Sequence, residues 1–190
     1  EVFDFLDVDK KQMLLRALNH NMVVTLLNEM SPDDRTELFE ELPAKVVKKY
    51  LSVLSDEERH VANMLLGYRD ESAGRLMTTE FVALRATMTA QQAIEELRRL
   101  APEAETAYYA YVVDEQEKLV GVLSLRELII APPATLLRDI MRMKVISVAA
   151  DADQEQVARV VAKYDLLAVP VVDEQNRLLG IVTVDDVIDV

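Results

Sequence analysis

The feature that most constrains the fold is an internal repeat in the second half of the chain. Residues 112–129 read VVDEQEKLVGVLSLRELI, and residues 171–188 read VVDEQNRLLGIVTVDDVI. Eight of these eighteen aligned positions are identical, with Val112 aligned to Val171. Each copy predicts an apolar strand, a polar turn, a second strand and a short helix. The chain should therefore contain two copies of one structural unit.

The repeat extends upstream of these hairpins, where Leu76-Met77 corresponds to Ile140-Met141 and a longer loop in the first copy shifts the alignment. Between these pairs and the doubled hairpins, the sequence predicts a short strand and then a helix, over residues 90–100 in the first copy and 154–164 in the second. Both helices should start at a capping-box-like sequence. Each copy is thus predicted to run strand, helix, strand, strand, helix.

Segment 1–74 has a different pattern, with apolar residues at the helical spacing of three and four. Ser31 followed by Pro32, and Ser55 in an S-x-x-E capping box, predict two helix starts. Pro43 should separate two short helices. A weak repeat (LxxMS at 27–31, LxxLS at 51–55) indicates short helices stacked into a superhelix, whose hand remains open.

These patterns predict an α+β chain, in which a short-helix superhelix precedes a tandem pair of β-α-β-β-α motifs. We place the helical domain at residues 1–74, the first motif at 75–135 and the second at 136–190. With 51% hydrophobic residues the chain can bury a core. It has no uninterrupted apolar run long enough to span a bilayer. Because it starts at Glu1 rather than Met, we expect it to be a fragment of a larger protein.

The charge balance excludes some functions and favours others. The net charge is −13, from 34 acidic and 21 basic residues, which argues against a nucleic-acid partner. The absence of cysteine rules out disulfides and thiolate metal sites. The acidic excess is explained either by solubility or by a site for hard divalent cations, which prefer oxygen ligands.

No combination of residues suggests catalysis, so we expect the chain not to be an enzyme. His20 and His60 lack a partner at ligand or triad spacing, and each is better explained as a surface or helix-packing residue. Asp33 and Glu37 are more informative, because their i, i+4 spacing puts both carboxylates on one helix face. A cation or a basic partner would remove the repulsion between them.

The hairpin endings identify a family. The order of elements, with a glycine followed by apolar residues and an [ST]-x-x-[DE] ending at Gly121–Glu127 and Gly180–Asp186, resembles the CBS domain. The resemblance covers residues 75–190 in both copies. It implies a regulatory pair of motifs that usually forms a homodimer and often binds an adenine nucleotide between its two motifs.

The whole chain resembles the cytosolic region of MgtE magnesium channels, through the helical half, the segment ESAGRLM at residues 71–77 and above all the second motif, DADQEQVARVVAKYDLLAVPVVDEQNRLLGIVTVDDVIDV. This resemblance implies a cytoplasmic portion of a cell-membrane protein, with a pore domain following the second motif. It also implies a magnesium sensor: Mg²⁺ bridging acids of the helical domain and the CBS pair would favour the closed state, and its loss would let the domains separate.

The resemblance also implies the metal ligands. In the helical domain they are Asp33, Glu37 and Glu1, and in the second motif they are Asp153, Glu155, Asp165, Asp186 and Asp189. Weak sites built from scattered carboxylates suit Mg²⁺, which keeps several waters. Simpler roles remain open: Asp153 as a helix N-cap, Asp165 as a helix end, and Asp186 as the acid of the CBS ending.

ATP is the second cofactor that the resemblance suggests. The residues matching the family's nucleotide site are Tyr109, Arg126 and Glu127, with Glu127 in place of the family's aspartate. Leu166 stands where a second aromatic residue could stack on adenine, and losing that stack costs about 1 kcal/mol or more. The alternative function is therefore a CBS pair that binds an adenine nucleotide and regulates another enzyme or transporter.

Overall fold

The computed structural model describes residues 6, 8–102 and 104–188. The chain divides into two compact units, Glu1–Tyr68 and Arg69–Val190. The segment just after the division hydrogen-bonds within the second unit: the Ala73 amide donates to the Ala152 carbonyl (2.8 Å) and the Gly74 amide to the Ala150 carbonyl (2.8 Å). No described helix is long and apolar enough to cross a membrane.

The first unit is all-helical in its described part, as the apolar spacing predicts. Its helices are α1 (Val8–Ala17), α2 (His20–Glu29), α3 (Pro32–Glu40), α4 (Ala44–Leu51) and α5 (Asp56–Leu65). Pro32 opens α3, and Pro43 occupies the N-cap position of α4. The helices surround one apolar core, which includes Leu27, Leu38 and Leu54. Two of these three residues, Leu27 and Leu54, belong to the weak repeat of the helical segment.

A buried arginine ties three of these helices together. The fully buried Arg35 of α3 donates through Nη1 to the Leu27 carbonyl (3.1 Å) and the Met30 carbonyl (3.2 Å). Its Nη2 donates to Glu58 Oε2 at 2.5 Å. Ser55 does cap α5, but the carboxylate of Glu58 binds Arg35 instead of closing the predicted capping box. The helix ends therefore depend on a side chain whose burial no sequence pattern indicated.

The second unit contains the predicted duplication. The first copy comprises β1 (Ala83–Arg85), α7 (Ala90–Leu100), β2 (Tyr109–Val113), β3 (Leu119–Ser124) and α8 (Leu125–Ile130), and α6 (Ala73–Leu76) precedes it. After α9 (Leu137–Ile140), the second copy comprises β4 (Val148–Ala149), α10 (Gln154–Tyr164), β5 (Ala168–Val172) and β6 (Leu178–Thr183). Each sheet has its middle strand parallel to the first and antiparallel to the third.

This architecture confirms the α+β prediction, the full order of elements in the first copy and the first four elements of the second. Helices α7 and α10 have the predicted limits. The described end of the second copy is different: it is a 3₁₀ turn, Asp185–Val187, rather than a regular helix. Asp189 and Glu1, two of the expected metal ligands, lie outside the described residues.

The repeated VVDEQ segment forms the same turn twice. Asp114 Oδ1 accepts hydrogen bonds from the amides of Gln116 (2.8 Å) and Lys118 (3.0 Å). Asp173 Oδ1 accepts from the amides of Gln175 (2.9 Å) and Arg177 (2.8 Å). A short carboxylate that bonds to the backbone just ahead of it favours a tight turn. The aspartates of the repeat therefore close hairpins.

The two copies join through the tips of these hairpins. The Leu119 amide donates to the Asn176 carbonyl (2.9 Å), and the Leu178 amide donates to the Glu117 carbonyl (3.0 Å). Glu117 and Asn176 both adopt a left-handed backbone, with φ of 62° in each. The side chain of Asn176 adds a further bond to the Leu119 carbonyl (2.9 Å). The pair of motifs is thus one hydrogen-bonded body.

Each repeated glycine provides space for the segment that leads into the other copy. A Cβ at Gly121 would lie 2.5 Å from Met141 Sδ, and a Cβ at Gly180 would lie 2.6 Å from the Thr78 carbonyl oxygen and 2.8 Å from Met77 Sδ. Thr78 also exchanges backbone hydrogen bonds with Ile181, at 2.9 and 3.0 Å. The segment that leads into the first copy therefore packs against β6 of the second copy, and the segment that leads into the second copy packs against β3 of the first.

Candidate functional site

Helix α3 carries an acidic face that contains a buried carboxylate. Asp33 is half-buried as a residue, but its Oδ1 is sealed from solvent and has no hydrogen-bond partner among the described residues. Burial raises the pKa of Asp33 to about 6, and repulsion from the adjacent Asp34 carboxylate adds to that rise. A buried anionic oxygen without a donor is a position where a cation would be stabilised.

One helical turn further on, Glu37 lies next to a buried lysine. Lys11 of α1, 6% exposed, places its Nζ 3.8 Å from Glu37 Oε2. Glu41, another turn along, has a buried Oε2 that lacks a partner within the described part of the chain. Burial raises the pKa of Glu41, while Lys11 lowers it and Glu37 raises it. The acidic face thus comprises Asp33, Glu37 and Glu41.

Glu41 and Lys11 are the residues of this site that the sequence analysis missed. Continuing the i, i+4 spacing from Asp33 and Glu37 by one more turn would have found Glu41. Nothing in the sequence marks Lys11, because a lysine in a polar helix is usually exposed. The face therefore combines three carboxylates with one internal cation.

The acids predicted in the second motif have local structural partners. Asp153 is the N-cap of α10, accepts from the Glu155 amide (3.1 Å) and lies 3.5 Å from Arg69 Nη2. Glu155 forms an exposed ion pair with Arg159 at 3.1 Å. Exposed ion pairs of this kind contribute little to stability, so a metal could displace them at small cost.

The last two described candidates lie at chain turns. Asp165 is exposed and ends α10 in a left-handed conformation, with φ of 52°. Asp186 Oδ2 accepts from the Thr183 hydroxyl (2.6 Å) and from the Thr183 amide (3.1 Å), so one of its oxygens holds the CBS ending together. In the described part of either unit, no three His, Cys, Asp or Glu side chains are grouped so as to hold a metal.

The candidate nucleotide residues gather at one end of the first sheet. Tyr109 pairs with Ser124 across β2 and β3. Ser124 and Glu127 form a complete capping box, and Glu127 Oε1 also accepts from Arg142 Nη2 at 2.8 Å. Burial alone would raise the pKa of Glu127, but its hydrogen bonds with Ser124 and Arg142 outweigh it and hold the pKa below its ordinary value.

Arg126 is exposed at this end, and within the described chain it makes no ion pair. It is thus available to an anion, whereas Glu127 is already bonded to Arg142, a residue that the sequence analysis did not include. Leu166, the position considered for a second stacking residue, is half-buried after α10. In the part of the chain that the structure describes, the site presents one tyrosine and one unpaired cation.

Fold and site together define a class of protein: a tandem CBS pair preceded by a helical unit. Residues 73–133 and 137–190 match the model of the CBS domain, and residues 1–71 match the model described as the MgtE intracellular N domain. The chain belongs to the MgtE family, as its N domain and CBS pair.

Known proteins agree with this assignment. The chain is 54% identical over 138 residues to the magnesium transporter MgtE of Thermus thermophilus (73% of this chain, 31% of the relative). It is 40% identical over 178 residues to MgtE of Bacillus subtilis (94% and 40%). The chain thus spans less than half the length of these curated relatives.

A solved structure extends the match to three dimensions. The crystal structure of the cytosolic domain of the Mg²⁺ channel MgtE in complex with ATP has a TM-score of 0.95 and 43% identity to this chain, and the match covers 99% of this chain and 77% of that one. The family and fold expected from the sequence are therefore confirmed.

Proposed function

We propose that this chain is the magnesium-sensing regulatory region of a magnesium transporter or channel, lying on the cytoplasmic side of the membrane and performing no catalysis. The observation that carries the proposal is the acidic face of α3 in a chain of the MgtE family. Two of its oxygens, Asp33 Oδ1 and Glu41 Oε2, are buried and lack a donor among the described residues.

The donor set suits Mg²⁺. A hard cation prefers carboxylate oxygens and keeps several of its waters, so it does not need a closed cage of protein ligands. Asp33 or Glu37 would supply an oxygen or accept a hydrogen bond from a metal-bound water, and the remaining ligands would be waters and acids of the second motif. The bound ion would offset the burial cost that raises the pKa of Asp33. The occupancy of a weak site changes with the concentration of an abundant ion, whereas a tight site would always be filled.

Regulation follows if the ion binds one arrangement of the two units more tightly than another. In our proposal Mg²⁺ bridges the acidic face of α3 to acids of the second motif and favours the closed state of the pore. The described candidates there are Asp153, Glu155, Asp165 and Asp186. Without Mg²⁺ the like charges repel, and the closed arrangement loses its advantage. The pore domain of the same protein is the partner that would respond.

We also propose a homodimer through the CBS pair. Tyr108 (64% exposed) and Leu167 (47%) occupy equivalent positions in the two copies, as do Ile129 (64%) and Ile188 (71%). Large apolar side chains repeated at equivalent exposed positions favour burial against a second symmetric surface. Replacing Ile129 and Ile188 with glutamate should convert a dimer into a monomer in light scattering.

ATP binding at the first motif is the second candidate function. It is supported by Tyr109 beside an unpaired Arg126 in the described chain, and by the ATP complex of the similar cytosolic domain. Calorimetry with ATP, ADP and AMP in EDTA tests it. Binding that Arg126→Met weakens would support the site. No heat from any of the three nucleotides would exclude it.

Limited proteolysis tests the magnesium proposal. Millimolar Mg²⁺ should protect residues 67–77 from cleavage, because it holds the closed arrangement. Asp33→Asn/Glu37→Gln should lose this protection, whereas the exposed acid variant Glu57→Gln should retain it. Identical cleavage of the unmodified chain with and without Mg²⁺ would contradict the proposal.

A further inference from the structure

The first unit contains a cleft with an unusual lining for so acidic a chain. It has a volume of about 330 Å³, at the lower end of the range for small-molecule sites. Three cationic or potentially cationic side chains line it, each from a different helix: Arg16 of α1, His20 of α2 and Lys49 of α4. The other lining residues are Leu15, Leu18, Val23, Tyr50 and Val53.

The charges in this cleft are not balanced within the described part of the protein. No acidic residue of that part lines the cleft, and no carboxylate there pairs with Arg16, His20 or Lys49. Arg16 and Lys49 each lie in the last turn of a helix, where they also stabilise the helix dipole. That role does not explain why they meet around one cleft.

Tyr50 provides a second, independent sign of a ligand. Its side chain belongs to the apolar core and is only 9% exposed. Its hydroxyl has no hydrogen-bond partner in the described chain, yet it is not sealed from solvent, and the residue lines the cleft. A largely buried tyrosine usually places its hydroxyl on a partner. A ligand in the cleft would supply that partner.

His20 adds a third kind of donor. It is the first residue of the ten-residue helix α2, whose N-cap Asn19 accepts from the Met22 amide at 3.0 Å. The positive end of the helix dipole therefore lies at the cleft. The cleft combines a guanidinium, an ammonium, an imidazole, a phenolic hydroxyl and apolar walls from Leu15 and Val23, and these features suit an anion attached to an apolar group.

From this combination we infer that the cleft between α1, α2 and α4 binds a small phosphate monoester. A phosphate group accepts several charge-assisted hydrogen bonds at once, which matches Arg16, Lys49 and the Tyr50 hydroxyl. The apolar side of the cleft would contact the organic part of the ligand. This site is distinct from the acidic face of α3, and its ligand has the opposite charge to the ion proposed there. The inference does not depend on magnesium sensing.

The test is a titration of the whole chain with phenyl phosphate in EDTA, followed through the ring NMR signals of His20. Phenol serves as the uncharged comparison. We expect saturable shifts with phenyl phosphate at millimolar or lower concentration, and none with phenol. Arg16→Met/Lys49→Met should weaken binding by about tenfold or more, and Tyr50→Phe should weaken it by about threefold.

The control variant is Lys45→Met/Lys48→Met, which removes two lysines of the same helix α4 that do not line the cleft. It should change the dissociation constant by less than about twofold, because charges outside the cleft act only through screened long-range attraction. Circular dichroism checks that each variant is folded. The inference is overturned if phenyl phosphate gives no saturable shift, if phenol binds equally, or if the control weakens binding as much as Arg16→Met/Lys49→Met.

Discussion

Lys11 Nζ lies 3.8 Å from Glu37 Oε2, so the acidic face of α3 already contains an internal cation. The lysine is 6% exposed and also lowers the pKa of Glu41, whose burial raises it. A magnesium ion at this face would therefore share its carboxylates with Lys11. The strength of the magnesium response should depend on this lysine as well as on the acids.

We predict that Lys11→Met makes the chain more dependent on magnesium. Removing the ammonium leaves Glu37 and Glu41 without a counter-charge, so the free energy of unfolding without Mg²⁺ should fall by about 1–2 kcal/mol. Added Mg²⁺ should restore more stability in the variant than in the unmodified chain. Thermal unfolding over a magnesium series measures both effects. Lys45→Met, on an exposed lysine, is the control, and equal magnesium gains in Lys11→Met and the unmodified chain would show that Lys11 does not compete with the ion.

The second prediction concerns pH in the absence of magnesium. Because burial and Asp34 raise the pKa of Asp33 to about 6, the folded chain binds a proton that the unfolded chain releases at lower pH. Asp33 therefore costs no stability below about pH 4, and its cost grows as the pH rises to 6 and persists above. Asp33→Asn should stabilise the chain at pH 7 by ~1–2 kcal/mol, since partial exposure reduces the full effect.

At pH 4 the same substitution should have almost no effect. Urea unfolding at both pH values, in EDTA, gives the comparison, and Glu57→Gln on the exposed side of α5 should be neutral at each. A stability gain from Asp33→Asn that is equal at pH 4 and pH 7 would mean that the pKa of Asp33 is not raised in the folded chain, so that burial does not strain its ionised form.

The third prediction compares the cost of an alanine substitution at the two repeated glycines, Gly121 and Gly180. An alanine Cβ at Gly180 would meet the backbone oxygen of Thr78, which exchanges hydrogen bonds with Ile181 and cannot move without breaking them. At Gly121 the nearest atoms all belong to the flexible Met141 side chain. Gly180→Ala should thus destabilise by ~2–3 kcal/mol and Gly121→Ala by about 1 kcal/mol. Urea unfolding measures both, and equal costs would show that the Thr78 backbone adjusts as readily as the Met141 side chain.

The fourth prediction is that removing one buried hydroxyl does not destabilise the chain. Tyr111 is 2% exposed in the apolar cluster shared by the two copies, and its hydroxyl has no partner among the described residues. Burial raises the pKa of Tyr111 well above its ordinary value. Tyr111→Phe should leave stability unchanged or raise it by ~1 kcal/mol, because it removes an unsatisfied polar atom. Tyr164→Phe, on another tyrosine exposed by 45%, should be neutral. A clear loss of stability in Tyr111→Phe would reveal a hydrogen bond to water inside the cluster.

Local signals in the sequence were sufficient for most of the fold. Helix α7 starts at the Thr89 capping box and α10 at the Asp153 N-cap, and both helices have the predicted limits because these caps act through neighbouring residues. The doubled VVDEQ segment predicted the hairpins for the same reason: each aspartate bonds amides two and four residues ahead.

Tertiary burial of charge could not be predicted in this way. Arg35 lies in a stretch of acidic residues, which predicts a surface position, yet it is fully buried. Its hydrogen bond to Glu58 prevents that carboxylate from completing the expected capping box. Lys11 is similar. Which charge is buried depends on helix packing, and a single helix's pattern does not contain that information. The candidate site was therefore located from Asp33 and Glu37, while its internal cation was missed.

The proposed magnesium sensing requires that the ion compacts the chain through the acidic face of α3. The most direct test is a magnesium titration of the radius of gyration by X-ray scattering, for the unmodified chain, for Asp33→Ala/Glu37→Ala and for the exposed control Glu57→Gln. We predict a saturable decrease in radius at millimolar Mg²⁺ for the unmodified chain and the control, and little change for the double variant. A double variant that compacts like the unmodified chain would contradict the proposal.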